Sequence, residues 1–456
     1  MTTTDLPTGV ELNADYQIKD FNALFSPTNL LHDEVIQRRE TGYDVDEFVA
    51  EANSADSTDR VAVLDIVDRM AYAERGPGWK YVEPDTIEDI VETLGAQGVV
   101  TSISEPELRD KLNAAWLGRI AGCNLGKPVE WGTHWTADHI RDYLILADAY
   151  PLRDYVPVLD PMPEGFVLTP SWPQTTRGNV KGSARDDDID YPILALHLLE
   201  TFGSKLRPED VGSAWTRLFP IEQVFTAERA AYTNLVDGFT VPEVARRRNP
   251  YREWIGAQIR GDVFGYVHPG DPWTAARLSF QDASLSHVGN GIYGEMWSAA
   301  LVASAFTAES AEEAIVSSLA VVPPESRLAE ALCHVLDLKR SGISWDAALE
   351  AIQAAYGQYS WVHTINNAAA VAVALLWSED DFTTGVGRIV MSGWDTDSNG
   401  ATVGSVLGVL LGTKNLPDHL IKPLENRTRS ALFGFDNSAI SDLANRTALL
   451  AINGLK

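Results

Sequence analysis

The chain has 456 residues, 45% of them hydrophobic and 22% charged, a balance that suits a soluble globular protein with a large core. Its 64 acidic residues outnumber 36 basic ones, and the net charge of −28 argues against nucleic-acid or membrane partners, because that field repels phosphate backbones and anionic lipid. With only two cysteines, Cys123 and Cys333, and no basic-then-apolar leader after Met1, no disulfide framework is expected and the expected compartment is the cytoplasm.

In chain order, residues 1–105 read as an accessory region, polar and acidic, whose function is not legible. It holds an amphipathic piece over 60–70, a strap over 78–85 and a short helix over 87–94. From 106 to 456 the pattern is helical: Leu108, Leu112, Ala115, Trp116, Ile120 and Cys123 fall near helical spacing, and Ile193 to Leu199 form another apolar run. Ser310 with Glu313 predicts a capping box, and Ser344 precedes a further helix. Strand-like alternation is scarce, so the fold class expected is all-α. One stretch, 131–185, carries Pro151, Pro157, Pro161, Pro163, Pro170 and Pro173 and reads as a long irregular loop. It is either a lid or substrate wall, or a packed surface insertion. The most apolar stretch, 401–411, is too short to span a bilayer.

Two features point to chemistry. Asp186, Asp187 and Asp188 open one predicted helix and Asp395-Thr396-Asp397-Ser398 opens another. A triple aspartate alone also reads as an exposed helix N-cap. Two such clusters against apolar helices make sense with a cation among them, since buried like charges repel. Oxygen ligands with almost no Cys or His nearby favour Mg²⁺ or Mn²⁺ over zinc. The second feature is a pair of glycine rows, Gly118-Gly122-Gly126 and Gly400-Gly404-Gly408-Gly412, each four apart. A glycine costs a helix interior about 1 kcal/mol relative to alanine, so the rows need a reason. The reason expected is two central helices touching backbone to backbone, which holds their acidic ends at one place; tight packing without a site is the alternative.

Four segments read together: Gly122-Cys123-Asn124-Leu125-Gly126-Lys127-Pro128-Val129-Glu130, Arg185-Asp186-Asp187-Asp188-Ile189-Asp190-Tyr191, His287-Val288-Gly289-Asn290-Gly291-Ile292-Tyr293, and Gly393-Trp394-Asp395-Thr396-Asp397-Ser398-Asn399-Gly400. In order and chemistry the set resembles the ADP-ribosylglycohydrolase family over roughly residues 106–412. The resemblance implies an orthogonal all-α bundle with two Mg²⁺ or Mn²⁺ ions at its centre. It implies metal ligands at Asp186, Asp187, Asp188, Asp395, Asp397 and Ser398, and a substrate-binding loop at His287, Asn290, Gly291 and Tyr293. Asp186 stands where the family has a hydroxyl residue, Ile189 where it has threonine, and Ser398 where threonine is usual.

The expected reaction is hydrolysis of the glycosidic bond of an ADP-ribosyl or related ribosyl conjugate, free or carried on a protein. Two ions about 3.5–4 Å apart can orient ribose hydroxyls and acidify a water, while a carboxylate serves the oxocarbenium-like transition state as acid or base. Glu130 is the first candidate for that carboxylate, with a pKa raised by Pro128-Val129, and Asp187 or Asp188 the second. A small N-riboside as substrate, a non-catalytic ligand-binding member of the fold, and a metal-dependent phosphoesterase stay open. Trp172, Trp297 and Trp394 are candidates for stacking on a base, or core residues. The segment from Tyr359 to Asn367 either lines the pocket or caps the helix that follows.

Overall fold

Twenty-two α-helices and one two-stranded ribbon build the protein in a computed structural model that describes residues 21–95, 97–98 and 100–455. The expectation about a leader falls on residues outside that range. The ribbon pairs Arg427–Thr428 antiparallel with Ser438–Ala439, Arg427 facing Ala439. No helix among the described residues is long and apolar enough to cross a membrane.

The helices Glu105–Gly126 and Thr396–Leu411 form the axis of the molecule. Glu105 and Glu107 in the first turn, with a proline there, favour the start of the first helix through its N-terminal dipole. From Gly118 onward every residue of it is buried. The glycine rows explain how two helices can both be central. A Cβ on Gly118 would collide with the carbonyl of Gly404, one on Gly122 with that of Gly400, and one on Gly126 with that of Thr396. Gly408 faces the Ala114 carbonyl in the same way, whereas Gly412 leaves the row: it ends the helix at φ +71°. The contact runs antiparallel, so the C-terminal end of one helix meets the N-terminal end of the other, and Thr396 Oγ1 donates to the Gly126 carbonyl at 2.9 Å.

Around this pair lie Asp187–Phe202, Asn290–Ala305 and Thr364–Leu376. The last two are buried over their whole length, which suits their runs of alanine, valine and leucine. The capping box at Ser310 is half formed. Ser310 Oγ accepts from the Glu313 amide at 3.2 Å, but the Glu313 carboxylate takes the amide of Glu309. Ser344 caps Trp345–Tyr356 as expected.

The stretch 131–185 is less irregular than its prolines suggest. It contains the helix Ala137–Leu146 and is tied down by Trp135, Tyr143 and Tyr155, which are buried and donate to the carbonyls of Val167, Pro157 and Leu420.

The described part of the accessory region has a small apolar cluster of its own: Leu31 and Val35 on the helix Pro27–Glu40, Val63, Ile66, Val67 and Met70 on Arg60–Met70, and Val45 at the start of Asp46–Ser54. Polar groups join it to the rest. Arg252 binds Glu34 at 2.7 and 3.0 Å and Gln37 at 2.9 Å; Gln37 donates to Glu253; Arg327 binds Glu253 and, at 2.9 and 3.0 Å, Glu83. Burial would raise the Glu253 pKa, but Arg327 overrides it and draws the carboxyl down to about 2.

Candidate active site

The glycine contact sets the segment after Gly126, which carries Glu130, against the acidic start of Thr396–Leu411, and the acidic start of Asp187–Phe202 joins them there. Asp186 is the N-cap of Asp187–Phe202: its extended backbone (φ −152°) lets one carboxylate oxygen accept from the Asp188 amide at 2.9 Å. Its other oxygen, Oδ2, is buried and takes no hydrogen bond beyond an ion pair with Lys127. Asp395 occupies the N-cap position of Thr396–Leu411, yet its side chain makes no capping bond, so its carboxylate is free to point elsewhere. Asn367 does part of that work instead: its Oδ1 accepts from the Asp395 amide at 3.3 Å and from Asn399 Nδ2 at 2.6 Å.

The result is a set of carboxylates at ligand spacing. Oxygens of Glu130, Asp395 and Asp397 lie within 4.8 Å of one another, as do those of Asp186, Asp187 and Asp188, and Asp186 and Asp397 approach the Cys123 thiol equally closely. Ser398 Oγ donates to Asp188 Oδ2 at 3.0 Å, so the hydroxyl joins the set through Asp188. Burial, then repulsion from Asp397, pushes Glu130 well above the ordinary carboxyl range. Asp188 and Asp395 rise for the same reasons, and burial raises Asp187. Carboxyls this close and this buried hold protons because the cations beside them offset only part of their charge, and a divalent cation would offset more. All donors are hard oxygens apart from one thiol, and the buried Asp186 Oδ2 takes no hydrogen bond and is held by Lys127 alone. The residues therefore fit Mg²⁺ or Mn²⁺.

Two cations stand here, Arg119, which the sequence did not suggest, and Lys127 of the first motif, whose partners it did not give. Arg119, fully buried, spans Asp188 and Asp262: Nε donates to the Asp188 carbonyl at 2.9 Å, Nη1 to Asp262 Oδ2 at 2.8 Å, and Nη2 to the Ile259 carbonyl. It sits one residue after Gly118 in the first helix, and an arginine in so apolar a run was the available signal. Lys127 pairs with Asp186 and stands 3.8 Å from Asp397. Burial would discharge its ammonium, but Glu130 and Asp397 hold it charged.

An aromatic rim was missed in part. Trp131 (φ +92°) follows Glu130, and Trp394 (φ +59°) precedes Asp395; both hold a left-handed backbone that is unusual for an aromatic residue and concentrates at functional sites. A Cβ on Gly132 would meet Trp361 and the Trp394 backbone, so the three tryptophans lie on adjoining loops, two of them next in sequence to Glu130 and Asp395. Of the other stacking candidates, Trp297 is core and Trp172 is 40% exposed. The 359–367 segment does reach the site, through Trp361 and Asn367. The cap of Thr364–Leu376 is neither asparagine but His363, whose Nδ1 accepts from the Ile365 amide at 3.2 Å.

No hydrogen bond or ion pair among the described residues links His287, Asn290, Gly291 or Tyr293 to the carboxylates. Asn290 Nδ2 donates to Glu83 and Glu253, its Oδ1 accepts from the Leu328 amide, and the Tyr293 hydroxyl donates to the Pro84 carbonyl. Asp85 accepts from the Gly289 amide at 2.7 Å. A Cβ on Gly291 would strike the Arg252 carbonyl, and His287 is buried against Ser286 at 2.8 Å. This loop is where the 78–85 strap docks.

Residues 104–453 match the model of the ADP-ribosylglycohydrolase family, well over half of the chain, and the protein belongs to that family. A solved structure described as an "ADP-ribosylglycohydrolase-related protein complex" is similar at 17% identity, over 76% of this chain and 99% of that one, with a TM-score of 0.44. A comparison with curated proteins finds no match.

Proposed function

We propose that the protein hydrolyses the glycosidic bond of an ADP-ribosyl or related ribosyl conjugate with the help of divalent metal ions. The observation that carries this reading is the convergence of Glu130, just past the end of Glu105–Gly126, with Asp186, Asp187 and Asp188 at the start of Asp187–Phe202 and Asp395 and Asp397 at the start of Thr396–Leu411, the first and last of these helices being in backbone contact. These carboxylates would hold the ions, which supply Lewis-acid charge and orient a ribose diol when bound. The chain's own part is positional and protonic. Glu130, at the mouth of the first motif and inclined to keep its proton, donates to or takes from the bond being cleaved. Asp187 is the alternative for that role. Trp131, Trp361 and Trp394 give the sugar or base a face and limit water. The Gly-Asn-Gly loop enters this reading as a support for the strap, not as a ribose contact.

A second reading, a small N-riboside as substrate, is favoured by one observation. Arg119, Lys127 and Arg185 adjoin the carboxylates, and each is already paired, with Asp262, Asp186 and Asp190 respectively. A pyrophosphate would have to compete for them.

The test is a panel of arginine- and serine-linked ADP-ribosyl conjugates, O-acetyl-ADP-ribose and simple nucleosides, with mass spectrometry for released ribose or ADP-ribose. Metal-dependent release from an ADP-ribosyl compound, absent in Asp395→Asn, is the expected result. Release from nucleosides alone moves the function to the second reading, and no release from any compound counts against both.

A further inference from the structure

Lys127 is the feature that this function does not use. It begins the 3-10 turn Lys127–Val129, straight after Gly126, whose lack of a side chain lets the turn lie on Thr396 and Asp397. The turn leaves the lysine a short tether, and its side chain, only 16% exposed, runs inward to the carboxylates. There the ammonium pairs with Asp186 Oδ2, the buried oxygen with no other partner, and lies 3.8 Å from Asp397 Oδ2. Those same two carboxylates, with Cys123, form one of the ligand-spaced groups; Glu130, Asp395 and Asp397 form another, and there the ammonium makes no ion pair with Glu130 or Asp395. The ammonium is thus paired within the first position and meets the second only through the Asp397 that both share.

We propose that Lys127 is an internal competitor for metal: an ion reaches the Asp186–Asp397 position only by displacing its ammonium, whereas the Glu130–Asp395–Asp397 position keeps two carboxylates with which the ammonium makes no ion pair. The inference rests on the reading that the cluster binds divalent ions, and it makes the two positions unequal. A tethered cation acts at high effective concentration, so its removal strengthens binding at its own position by roughly tenfold or more. Lys127→Met deletes the charge and keeps most of the stem, and Lys127→Arg keeps a charge at the same place.

The experiment is a calorimetric Mn²⁺ titration of the metal-free full-length protein and both variants, with melting curves to check folding. The expected result is a tight and a weak step in the native protein, the weak one tightened roughly tenfold in Lys127→Met and not in Lys127→Arg. Two equal steps in all three proteins, or a weak step unmoved in Lys127→Met, overturn the inference and leave the metal reading standing. No Mn²⁺ bound by any of them overturns both. If Lys127→Met fails to fold, reductive methylation of the native protein decides, read at Lys127 by mass spectrometry. Faster modification once Mn²⁺ saturates supports displacement; an unchanged or slower rate refutes it.

Discussion

At the scale of single residues, Glu130 and Glu40 show how burial sets protonation for different ends. Glu130 is held above the carboxyl range by burial and by Asp397, and the reaction proposed needs a proton at that place. Glu130→Gln is expected to lower turnover by about 10²-fold or more while the melting temperature stays near that of the native protein. Full activity in the variant would reassign the role to Asp187. Glu40, last residue of Pro27–Glu40, has no such task. Burial, then repulsion from Glu253, raises it from 4.5 to about 8. Its folded pKa lies above the unfolded one, so folding is unpenalised below about pH 4.5 and loses stability as pH rises toward 8. Glu40→Gln should therefore stabilise the protein at pH 8–9, by on the order of 2 kcal/mol in denaturant titrations, and have little effect near pH 4.5. The acidic residues of the site were legible in the sequence because clustered charge beside apolar runs is rare. Arg119 and Lys127 were not singled out as partners, because the carboxylates they meet, Asp188 and Asp186 among them, lie far along the chain.

Among the elements, the crossing of Glu105–Gly126 and Thr396–Leu411 matters most. A period of four in glycine identified both faces in advance, since a helix stacks every fourth residue on one side. That the two faces meet each other, antiparallel, so that the segment leading to Glu130 lies against Asp395 and Asp397, is a tertiary fact. Gly122→Ala places a Cβ against the Gly400 carbonyl, and backbone cannot move aside as a side chain can. The expected cost is about 3 kcal/mol of stability, measured by denaturant unfolding, together with weaker Mn²⁺ binding because the segment leading to Glu130 separates from Asp395 and Asp397. A neutral Gly122→Ala would show that the contact does not position the site. Glycine at 412 follows another logic, a left-handed helix end, so an alanine there strains φ and not the contact.

Over the whole molecule, the strap and the Pro27–Glu40 helix hold the part that matches the family, residues 104–453, through buried ion pairs rather than through a shared apolar face. Removing one partner of such a pair leaves the other charge buried alone. Arg327→Met, which strands Glu83 and Glu253, is expected to destabilise the protein by about 3–5 kcal/mol and to open the segment after Trp79 to limited proteolysis. Metal is a second global lever. Carboxyls that hold protons must release them to bind an ion, so Mn²⁺ affinity should rise from pH 6 to pH 8, and chelation should lower the melting temperature more at the higher pH. An affinity independent of pH would mean that the cluster is already ionised.

Sequence alone determined the class of fold, the two helices at its centre and the carboxylates at their ends. Each of those rests on local pattern: helical period, glycine spacing, and charge beside apolar residues. It also carried the family resemblance, since four short motifs keep their order along the chain. The tertiary structure decided where the Gly-Asn-Gly loop faces, what the N-terminal strap does and which cation stands among the aspartates. Those depend on pairs such as Glu83 with Arg327, 244 residues apart, and Lys127 with Asp397. Partners so distant along the chain leave no periodic trace in it, because their encounter is set by how the intervening helices pack.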